Sequence, residues 1–306
     1  MTPLFAFLFD LLLGDPPNRF HPTAWMGKLI ACWGRFRPHN KPAAEFISGA
    51  ALILVGITLT GAVGYALTKL GNALPVPLNW LLVALILKTT ISLRGLNHAA
   101  REVQTALDTH NLPEARRLLS WHLVSRDTSQ LTEAQVAGAA IESVAENATD
   151  GILAPLFFFA VGGLPAALAY RFVNTADAMI GYRDPEHEWY GKFAARLDDA
   201  LNLIPARLTG LFILAASFLV GENARQAWRT VRSDAHLTAS PNAGVTMSAM
   251  AGALGVKLEK VGHYTLGEAF PLPSSRHLQL ARRILFAAVL LAVAVLIPLP
   301  AANWVK

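Results

Sequence analysis

The fold class of this chain is decided by residues 46–70, which read FISGAALILVGITLTGAVGYALTKL. The only charged residue in this stretch is Lys69, close to its C-terminal end. An α-helix needs roughly 20 consecutive apolar residues to cross the hydrocarbon core of a bilayer. We therefore predict that residues 46–70 form a transmembrane helix.

Further apolar stretches have the same character as this one. They are residues 78–93, 152–173, 208–221 and 284–300. Several are short, so they need tilt or extension by flanking residues to span a bilayer. An apolar run at residues 3–13 contains Asp10 and lacks a basic segment before it, so we expect it to be retained rather than cleaved as a signal peptide.

The stretch 152–173 is interrupted by Gly162, Gly163 and Pro165. Such a sequence breaks a helix in water, although neighbouring helices in a membrane can tolerate it. Two alternatives therefore remain for this stretch. It forms either one kinked span or a hairpin of two half-helices that enters and leaves the membrane on the same side.

Residues 96–110 and 112–124 carry apolar residues near helical spacing among charged ones, which predicts amphipathic helices. No internal repeat or flexible linker divides the sequence. We therefore predict one membrane-embedded domain, residues 1–306. Its fold class is all-α and polytopic, with four to five apolar helices plus amphipathic helices and a candidate re-entrant segment.

The composition supports a membrane protein, because 53% of residues are hydrophobic and only 15% are charged. A soluble domain normally carries about 25% charged residues. The net charge is +5, but the cations are spread singly between apolar blocks, so we expect no nucleic-acid partner. Basic residues beside spans follow from the positive-inside rule. The single cysteine, Cys32, excludes an intramolecular disulfide and a cysteine-based metal site.

A stripe of carboxylates is the strongest local pattern. Glu142, Glu146 and Asp150 are spaced i, i+4 and i+8, so a helix would place them on one face with Asn147 beside them. Like charges at this spacing repel each other. A divalent cation with oxygen ligands, or Lys and Arg partners, would offset the repulsion. The alternative is a solvated helix face.

Two more acidic clusters flank apolar segments. Asn174 and Asp177 share a helix face directly after the third apolar stretch, where a carboxylate is costly unless it is paired or functional. Asp198, Asp199 and Asn202 form a set of the kind that occurs in Mg²⁺-phosphate sites. The alternatives are a solvated helix end and an interfacial helix whose arginines neutralise the aspartates.

Two motifs could bind phosphate. Ser240 fits an N-cap before Pro241, and Gly255 fits the residue that ends the same helix. A helix N-terminus can bind phosphate, although capping alone explains Ser240. Arg126 could hold a phosphate bidentately, while its neighbour Asp127 fits a cap.

A capping box is the commoner explanation for the segment after Arg126, because Thr132 and Gln135 have the spacing of one. The sequence contains no phosphate-binding loop, dinucleotide fingerprint or nucleophile elbow.

Taken in order, these motifs resemble the CobD/CbiB family of membrane proteins, which are known as adenosylcobinamide-phosphate synthases. The matching segments are Leu13-Gly14-Asp15-Pro16, His21-Pro22, Ser125-Arg126-Asp127-Thr128-Ser129, Glu142 to Asn147 with Asp150-Gly151, Asn174-Thr175 with Asp177, Asp198-Asp199 with Asn202, and Ser240-Pro241-Asn242-Ala243-Gly244. Each motif is modest, but their joint order is specific and spans nearly the whole chain.

The resemblance implies an amide-forming reaction that consumes ATP and requires Mg²⁺. A propionate of the corrinoid adenosylcobyric acid would be joined to aminopropanol or to its phosphate, giving adenosylcobinamide or its phosphate. It also implies the inner membrane of a bacterium, with the lipid bilayer around the chain, and a complex with cobalamin synthase as a further partner.

Under this resemblance we assign roles by residue number. The expected catalytic residues are Glu142, Glu146, Asp150, Asp177 and Asp198. The expected metal ligands are Glu146, Asp150, Asp177 and Asp199. The expected substrate or phosphate ligands are Arg126, Asp127, Asn147, Asn174, Asn202, Arg207, Ser240 and Asn242. If these residues form one site, segments 125–150, 174–207 and 240–244 must share one membrane face, and the use of ATP would make it the cytoplasmic face.

Two rival functions remain. A non-catalytic membrane sensor similar to AmpE-type proteins shares parts of the pattern, but the complete acidic and Ser-Pro-Asn-Ala-Gly set favours the enzyme. A transporter needs polar residues in the middle of its spans. Lys88 is the only strong candidate of that kind.

Overall fold

The computed structural model describes residues 1–39, 41–182 and 184–296, with the side chain of residue 296 left out. Within these residues the chain is helical apart from one small hairpin, β1 (Leu258–Lys260) and β2 (Tyr264–Leu266), which pair antiparallel. Four of the described helical segments are long and apolar enough to cross a membrane, or five if a bent helix pair counts as one span. The predicted all-α, polytopic membrane fold is confirmed.

The chain forms two compact units. The first contains Met1–Ser92, Ala154–Asn202 and, of the described C-terminal residues, 293–296. The second contains Leu93–Leu153 and Leu203–Ala292. The single membrane-embedded domain predicted for residues 1–306 stays a prediction.

The first unit is built from helices of two separate stretches of the chain. They are α1 (Thr2–Leu13), α2 (Pro22–Gly34), α3 (Pro42–Asn72), α4 (Val76–Lys88), α8 (Ala154–Ile180) and α9 (Lys192–Leu201). The helix α3 confirms the span predicted at residues 46–70.

The second unit has a buried helix, α12, in contact with several of its neighbours. Its helices are α5 (Leu93–Asp108), α6 (Leu112–His122), α7 (Glu133–Ala148), α10 (Leu203–Leu219), α11 (Ala224–Asp234), α12 (Ala243–Leu254) and most of α13 (Ser275–Leu296). The predicted amphipathic helices at residues 96–110 and 112–124 are α5 and α6. The predicted last span corresponds to α13, and residues 297–300 of that prediction lie outside the described residues.

Small residues on α3 let the backbone of α8 approach closely. A Cβ atom on Gly64 would lie 2.7 Å from the backbone of Pro165, and one on Gly56 would overlap the ring of Phe172. The contact positions descend along α8 as they rise along α3, so the two helices run antiparallel. Glycine therefore sets the packing distance between two apolar helices, as it commonly does in membranes.

The span predicted at residues 78–93 lies within the candidate span Val76–Asp108, but the regular helix is interrupted inside it. The helix α4 stops at Lys88, and α5 starts separately at Leu93. The hydroxyls of Thr89 and Thr90 each donate a hydrogen bond back to a carbonyl of the preceding turn, at 2.7 Å. These bonds satisfy the last carbonyls of α4 and end the helix, although the sequence remains apolar there.

The predicted break in α8 is confirmed. Gly162 and Gly163 have non-helical backbone angles, and Gly163 lies in the left-handed region at φ 66°. The rings of Phe158 and Tyr170 stack with centroids 4.8 Å apart. In a continuous helix these residues would be separated by about 18 Å along the axis. The two segments therefore bend towards each other at the glycines, which favours the hairpin of two half-helices over one kinked span.

Candidate functional site

The second unit holds a buried carboxylate, Glu142, on α7. The helix begins at the predicted capping box, in which Thr132 and Gln135 exchange hydrogen bonds. Ten residues along, Glu142 is only 5% exposed, and its Oε2 lies 3.8 Å from a guanidinium nitrogen of Arg126. Its Oε1 is buried and has no hydrogen-bond partner among the described residues. A buried, partly satisfied carboxylate costs stability, so its presence needs a functional or structural reason.

Tyr264 on β2 faces this carboxylate. Burial, together with the negative charge of Glu142, raises the pKa of the Tyr264 hydroxyl above its ordinary value. The hydroxyl lies 3.7 Å from the sulfur of Met247 on α12. Lys260 on β1 acts electrostatically on Glu142 as well. Tyr264 is therefore a neutral hydrogen-bond donor beside Glu142 at physiological pH.

The predicted acidic stripe does not continue as a regular α-helix. Glu146 lies on α7 and is exposed, but Asp150 falls in a π-helical turn, Thr149–Leu153, that follows α7. A π turn changes the angular spacing of side chains, and such turns are frequent at functional sites. Asn147 donates hydrogen bonds to the backbone oxygen and hydroxyl of Ser143, at 2.9 and 3.2 Å.

Arg207 and Asn242, both predicted to bind substrate, contact each other in the second unit. A guanidinium nitrogen of Arg207 donates to Oδ1 of Asn242 at 2.6 Å. The prediction that Ser240 is the N-cap of the next helix is wrong, because α12 starts at Ala243 with Asn242 as its N-cap. Ser240 still accepts hydrogen bonds from the N–H groups of Asn242 and Ala243. Gly255 ends α12 in the left-handed conformation, as predicted.

The side chain of Asp127 forms hydrogen bonds within its own turn. Its carboxylate accepts hydrogen bonds from the N–H and the hydroxyl of Ser129, at 2.9 and 3.0 Å. The backbone hydrogen bond is the main reason that the pKa of Asp127 lies below its ordinary value. The structure therefore gives Asp127 a local turn contact and places Arg126, its neighbour, at Glu142.

The first unit holds a second polar network, centred on Asp198 of α9. Oδ1 of Asp198 accepts from Asn174 at 3.3 Å, and Oδ2 accepts from Asn202 at 2.9 Å. Two residues of α8 extend the network, because Tyr170 donates to Asn202 at 2.9 Å and Arg171 donates to Asn174 at 3.2 Å. Three of the predicted site residues are therefore brought together in one network, and Asp198 is only 7% exposed.

Asp177 and Asp199 flank this network. Asp199, the neighbour of Asp198, acts on it electrostatically. Asp177 packs against Gly181, where a Cβ atom would overlap the carboxylate. Both side chains are half-buried.

The predicted metal ligands fall in both units, with Glu146 and Asp150 in the second and Asp177 and Asp199 in the first. In the part of the chain that the structure describes, no group of three His, Cys, Asp or Glu side chains is arranged to hold a metal ion. Mg²⁺ commonly takes only one or two carboxylates, with water and substrate phosphates as its other ligands. The carboxylates present fit that chemistry.

A third polar cluster joins the loop after α1 to the end of α4. Asp15 accepts a hydrogen bond from Lys88 at 3.0 Å and one from Ser92 at 2.7 Å. His21 lies 3.7 Å from the same carboxylate, and its other ring nitrogen accepts from the N–H of Thr23. The charge of Lys88, on which the transporter hypothesis depended, is therefore neutralised within the first unit.

A comparison with protein families matches residues 3–292 to the CobD/CbiB protein family. The chain belongs to the CobD/CbiB family. A CobD protein of Methanothermobacter thermautotrophicus, named "Probable cobalamin biosynthesis protein CobD", is 46% identical over 87% of this chain and 86% of its own. The "Cobalamin biosynthesis protein CobD" of Dehalococcoides mccartyi is 43% identical over 87% and 85%. That of Photorhabdus laumondii is 42% identical over 83% and 80%. No solved structure shows significant similarity to this CobD/CbiB chain.

Two aromatic residues of these networks, Tyr170 and Tyr264, are not predicted by the sequence patterns of this CobD/CbiB chain. Tyr170 lies in the apolar stretch 152–173, where hydropathy gives no sign that its hydroxyl has a polar partner. Tyr264 lies in the hairpin between α12 and α13, where no motif drew attention to it. The spacing of Arg171 and Asn174, i and i+3 on one helix, could have revealed their contact.

Proposed function

We propose that this CobD/CbiB chain acts in cobalamin biosynthesis as an ATP-dependent amide ligase. It would join aminopropanol or its phosphate to a propionate of adenosylcobyric acid. Membership of the family supports the pathway, and it favours this function over the sensor similar to AmpE-type proteins. The observation that carries the chemistry is Glu142, a buried carboxylate with one oxygen unpartnered among the described residues, beside Arg126.

A carboxylate needs activation before it can accept an amine. In the proposed reaction a propionate oxygen attacks the γ-phosphorus of ATP, and the bond to the β,γ-bridging oxygen breaks to release ADP. The amine nitrogen then attacks the acyl carbon, and inorganic phosphate leaves with the former propionate oxygen. Phosphoryl transfer of this kind depends mainly on positioning and charge neutralisation. Mg²⁺ would supply charge neutralisation at the phosphates.

Glu142 is the proposed base for the amine. An amine must lose a proton as it forms an amide, and a carboxylate within reach of it can take that proton. The unpartnered Oε1 is available for this, while Oε2 faces Arg126. Tyr264 would fix the orientation of the carboxylate from the other side.

Phosphate and substrate binding are assigned to the polar residues around these carboxylates. Arg126 and Arg207 are the proposed cationic partners of phosphates or corrinoid propionates. Asp127, Asn147, Ser240 and Asn242 remain proposed substrate ligands on the second unit, and Asn174 and Asn202 on the first. Glu146, Asp150, Asp177 and Asp199 are the proposed ligands for Mg²⁺.

The proposed location is the inner membrane of a bacterium, with the reacting groups on the cytoplasmic face, because ATP is supplied there. Corrinoid, aminopropanol or its phosphate, and membrane lipid are the proposed partners. A complex with cobalamin synthase would pass the product to the next enzyme.

An amidation assay tests the proposal. The protein, purified in detergent, is incubated with adenosylcobyric acid, Mg²⁺, ATP and either aminopropanol or its phosphate, and the corrinoid is analysed by mass spectrometry. We expect a mass gain equal to one amine less one water, dependent on ATP. The proposal would be contradicted if folded protein formed no product with either amine, even after lysate of a corrinoid-producing cell was added.

A further inference from the structure

The helix α11 is fixed to the second unit by one face. Ala227 and Thr230 are buried there. A Cβ atom on Gly252 of α12 would lie 2.6 Å from the hydroxyl of Thr230 and 2.7 Å from the Cα of Ala227. The helices therefore pack closely, and this contact determines which side of α11 faces outward.

The outward face of α11 carries three arginines and a tryptophan. Arg225, Trp228, Arg229 and Arg232 are all exposed. At 100° per residue they fall within a stripe about 100° wide, opposite the buried residues. In the described part of the chain, the three guanidinium groups make no hydrogen bond and no ion pair. The stripe is thus a positively charged surface without a protein partner.

The position of α11 along the chain places this stripe beside lipid. It begins at Ala224, and only four residues separate it from the end of α10 at Leu219. Phe218 and Leu219, at the end of that apolar helix, are 75% and 62% exposed. Large apolar side chains at the end of a span contact the edge of the hydrocarbon core, and tryptophan is enriched at the adjoining interface.

We propose that the outward face of α11 binds the headgroups of anionic phospholipids. Guanidinium groups bind phosphate oxygens bidentately, and Trp228 can place its ring at the level of the headgroups. Each basic residue near an anionic leaflet adds favourable binding free energy. An acidic protein partner is less favoured, because α10, which contacts α11, ends in the exposed apolar side chains of Phe218 and Leu219, and these require an apolar environment. This inference is independent of the amide ligase.

A local fluorescence measurement tests the proposal. A cysteine is introduced at the exposed Ser233 in a Cys32→Ala background and labelled with a fluorophore, and the full chain is placed in nanodiscs. Quenching by brominated phosphatidylglycerol is compared with quenching by brominated phosphatidylcholine, each at low mole fraction in unlabelled phosphatidylcholine. We expect half-maximal quenching at a mole fraction at least several-fold lower for phosphatidylglycerol.

Two triple variants separate charge from structure. With R225Q/R229Q/R232Q, the preference for phosphatidylglycerol should fall by on the order of 10-fold or more. With R225K/R229K/R232K, which keeps the charge, most of the preference should remain. Equal quenching by both lipids in the wild-type chain overturns the proposal, as does an unchanged preference in the glutamine variant with native circular dichroism. Recovery of a bound acidic protein that displaces phosphatidylglycerol would also overturn it.

Discussion

At the scale of single residues, Glu142 is unusual because small and apolar residues surround it on α7. Val136 to Ile141 are all buried, and so are Ser143 to Ala145. A carboxylate in such surroundings is costly unless it is paired with a cation and hydrogen-bonded. Arg126 at 3.8 Å and the neutral hydroxyl of Tyr264 provide only part of that compensation. Selection for stability alone would favour an apolar residue here, which supports the proposed role of Glu142 as the base.

Glu142→Gln tests this assignment. The substitution keeps the size of the side chain and removes its capacity to accept a proton. We expect the amidation rate to fall by on the order of 100-fold or more, in the range of a lost general base. Glu133→Gln, at the exposed first turn of the same helix, should leave the rate unchanged. A Glu142→Gln rate within twofold of wild type would refute the assignment.

Asp15 offers a test of stability rather than activity. Although burial raises its pKa, the neighbouring His21 and the hydrogen bonds from Ser92 and Lys88 lower it by more, so the net pKa lies well below the ordinary value. Asp15→Asn leaves the charge of Lys88 buried and unpaired. We expect a loss of about 1–2 kcal/mol, less than for a fully buried pair because the Asp15 side chain is 35% exposed.

The effect of Asp15 should depend on pH. A carboxyl whose pKa is lowered by folding stabilises the fold above its unfolded pKa, about 3.9. That contribution is lost as the pH falls from there through the folded pKa. The difference in melting temperature between wild type and Asp15→Asn should therefore be largest near neutral pH and shrink below pH of about 4. Asp108→Asn, at an exposed position, is the control, and a difference that grows on acidification would be the contrary result.

At the scale of elements, the packing of α3 on α8 depends on where glycine occurs. Gly64 has the backbone of Pro165 at 2.7 Å from its ideal Cβ position, whereas Gly61, on the same helix, has open space. Alanine at either position favours the helix by up to about 1 kcal/mol. At position 64 the clash should outweigh that gain.

Gly64→Ala and Gly61→Ala therefore form a matched pair. We expect Gly64→Ala to lower the melting temperature in detergent, with a cost of about 1–3 kcal/mol from overpacking. Gly61→Ala should leave it unchanged or raise it slightly. Equal melting temperatures for the two variants would show that α3 does not pack on Pro165 as described.

Apolar length predicted the helices but not all of their ends. The run at residues 46–70 predicted α3, and the glycines at 162 and 163 predicted the break in α8. The end of α4 at Lys88 was missed, because hydropathy cannot show that Thr89 and Thr90 bond back to the helix. The start of α12 was predicted too early, since Ser240 has the chemistry of a cap and accepts hydrogen bonds from Asn242 and Ala243, but the helix begins only at Ala243.

The candidate site was predictable only in part, for a related reason. Carboxylates and amides beside apolar runs identified Asp198 with Asn174 and Asn202, because a buried polar group must find partners nearby. Tyr264 could not be found in this way. Its contact with Glu142 joins a hairpin to a helix far away in sequence, and no local spacing encodes it.

At the scale of the whole molecule, the proposed reaction requires that residues 125–150, 174–207 and 240–244 all face the cytoplasm. Ser125, Ala200 and Ala239 are exposed and lie in or directly next to these three segments. Each is replaced singly by cysteine in a Cys32→Ala chain, so that labelling shows which side of the membrane the segment faces. A membrane-impermeant maleimide should label each one in inverted vesicles and none in right-side-out vesicles. Labelling of position 200 from the periplasmic side would contradict a shared cytoplasmic face.

The most direct test of the proposed ligase follows oxygen from the propionate. Adenosylcobyric acid labelled with oxygen-18 in its reacting carboxylate is converted by the purified protein with ATP, Mg²⁺ and the amine, and the released phosphate is analysed by mass spectrometry. We predict one labelled oxygen in inorganic phosphate for each amide formed, with ADP as the other product. Amide formation with unlabelled phosphate, or with the label in AMP, would contradict activation of the propionate as an acyl phosphate.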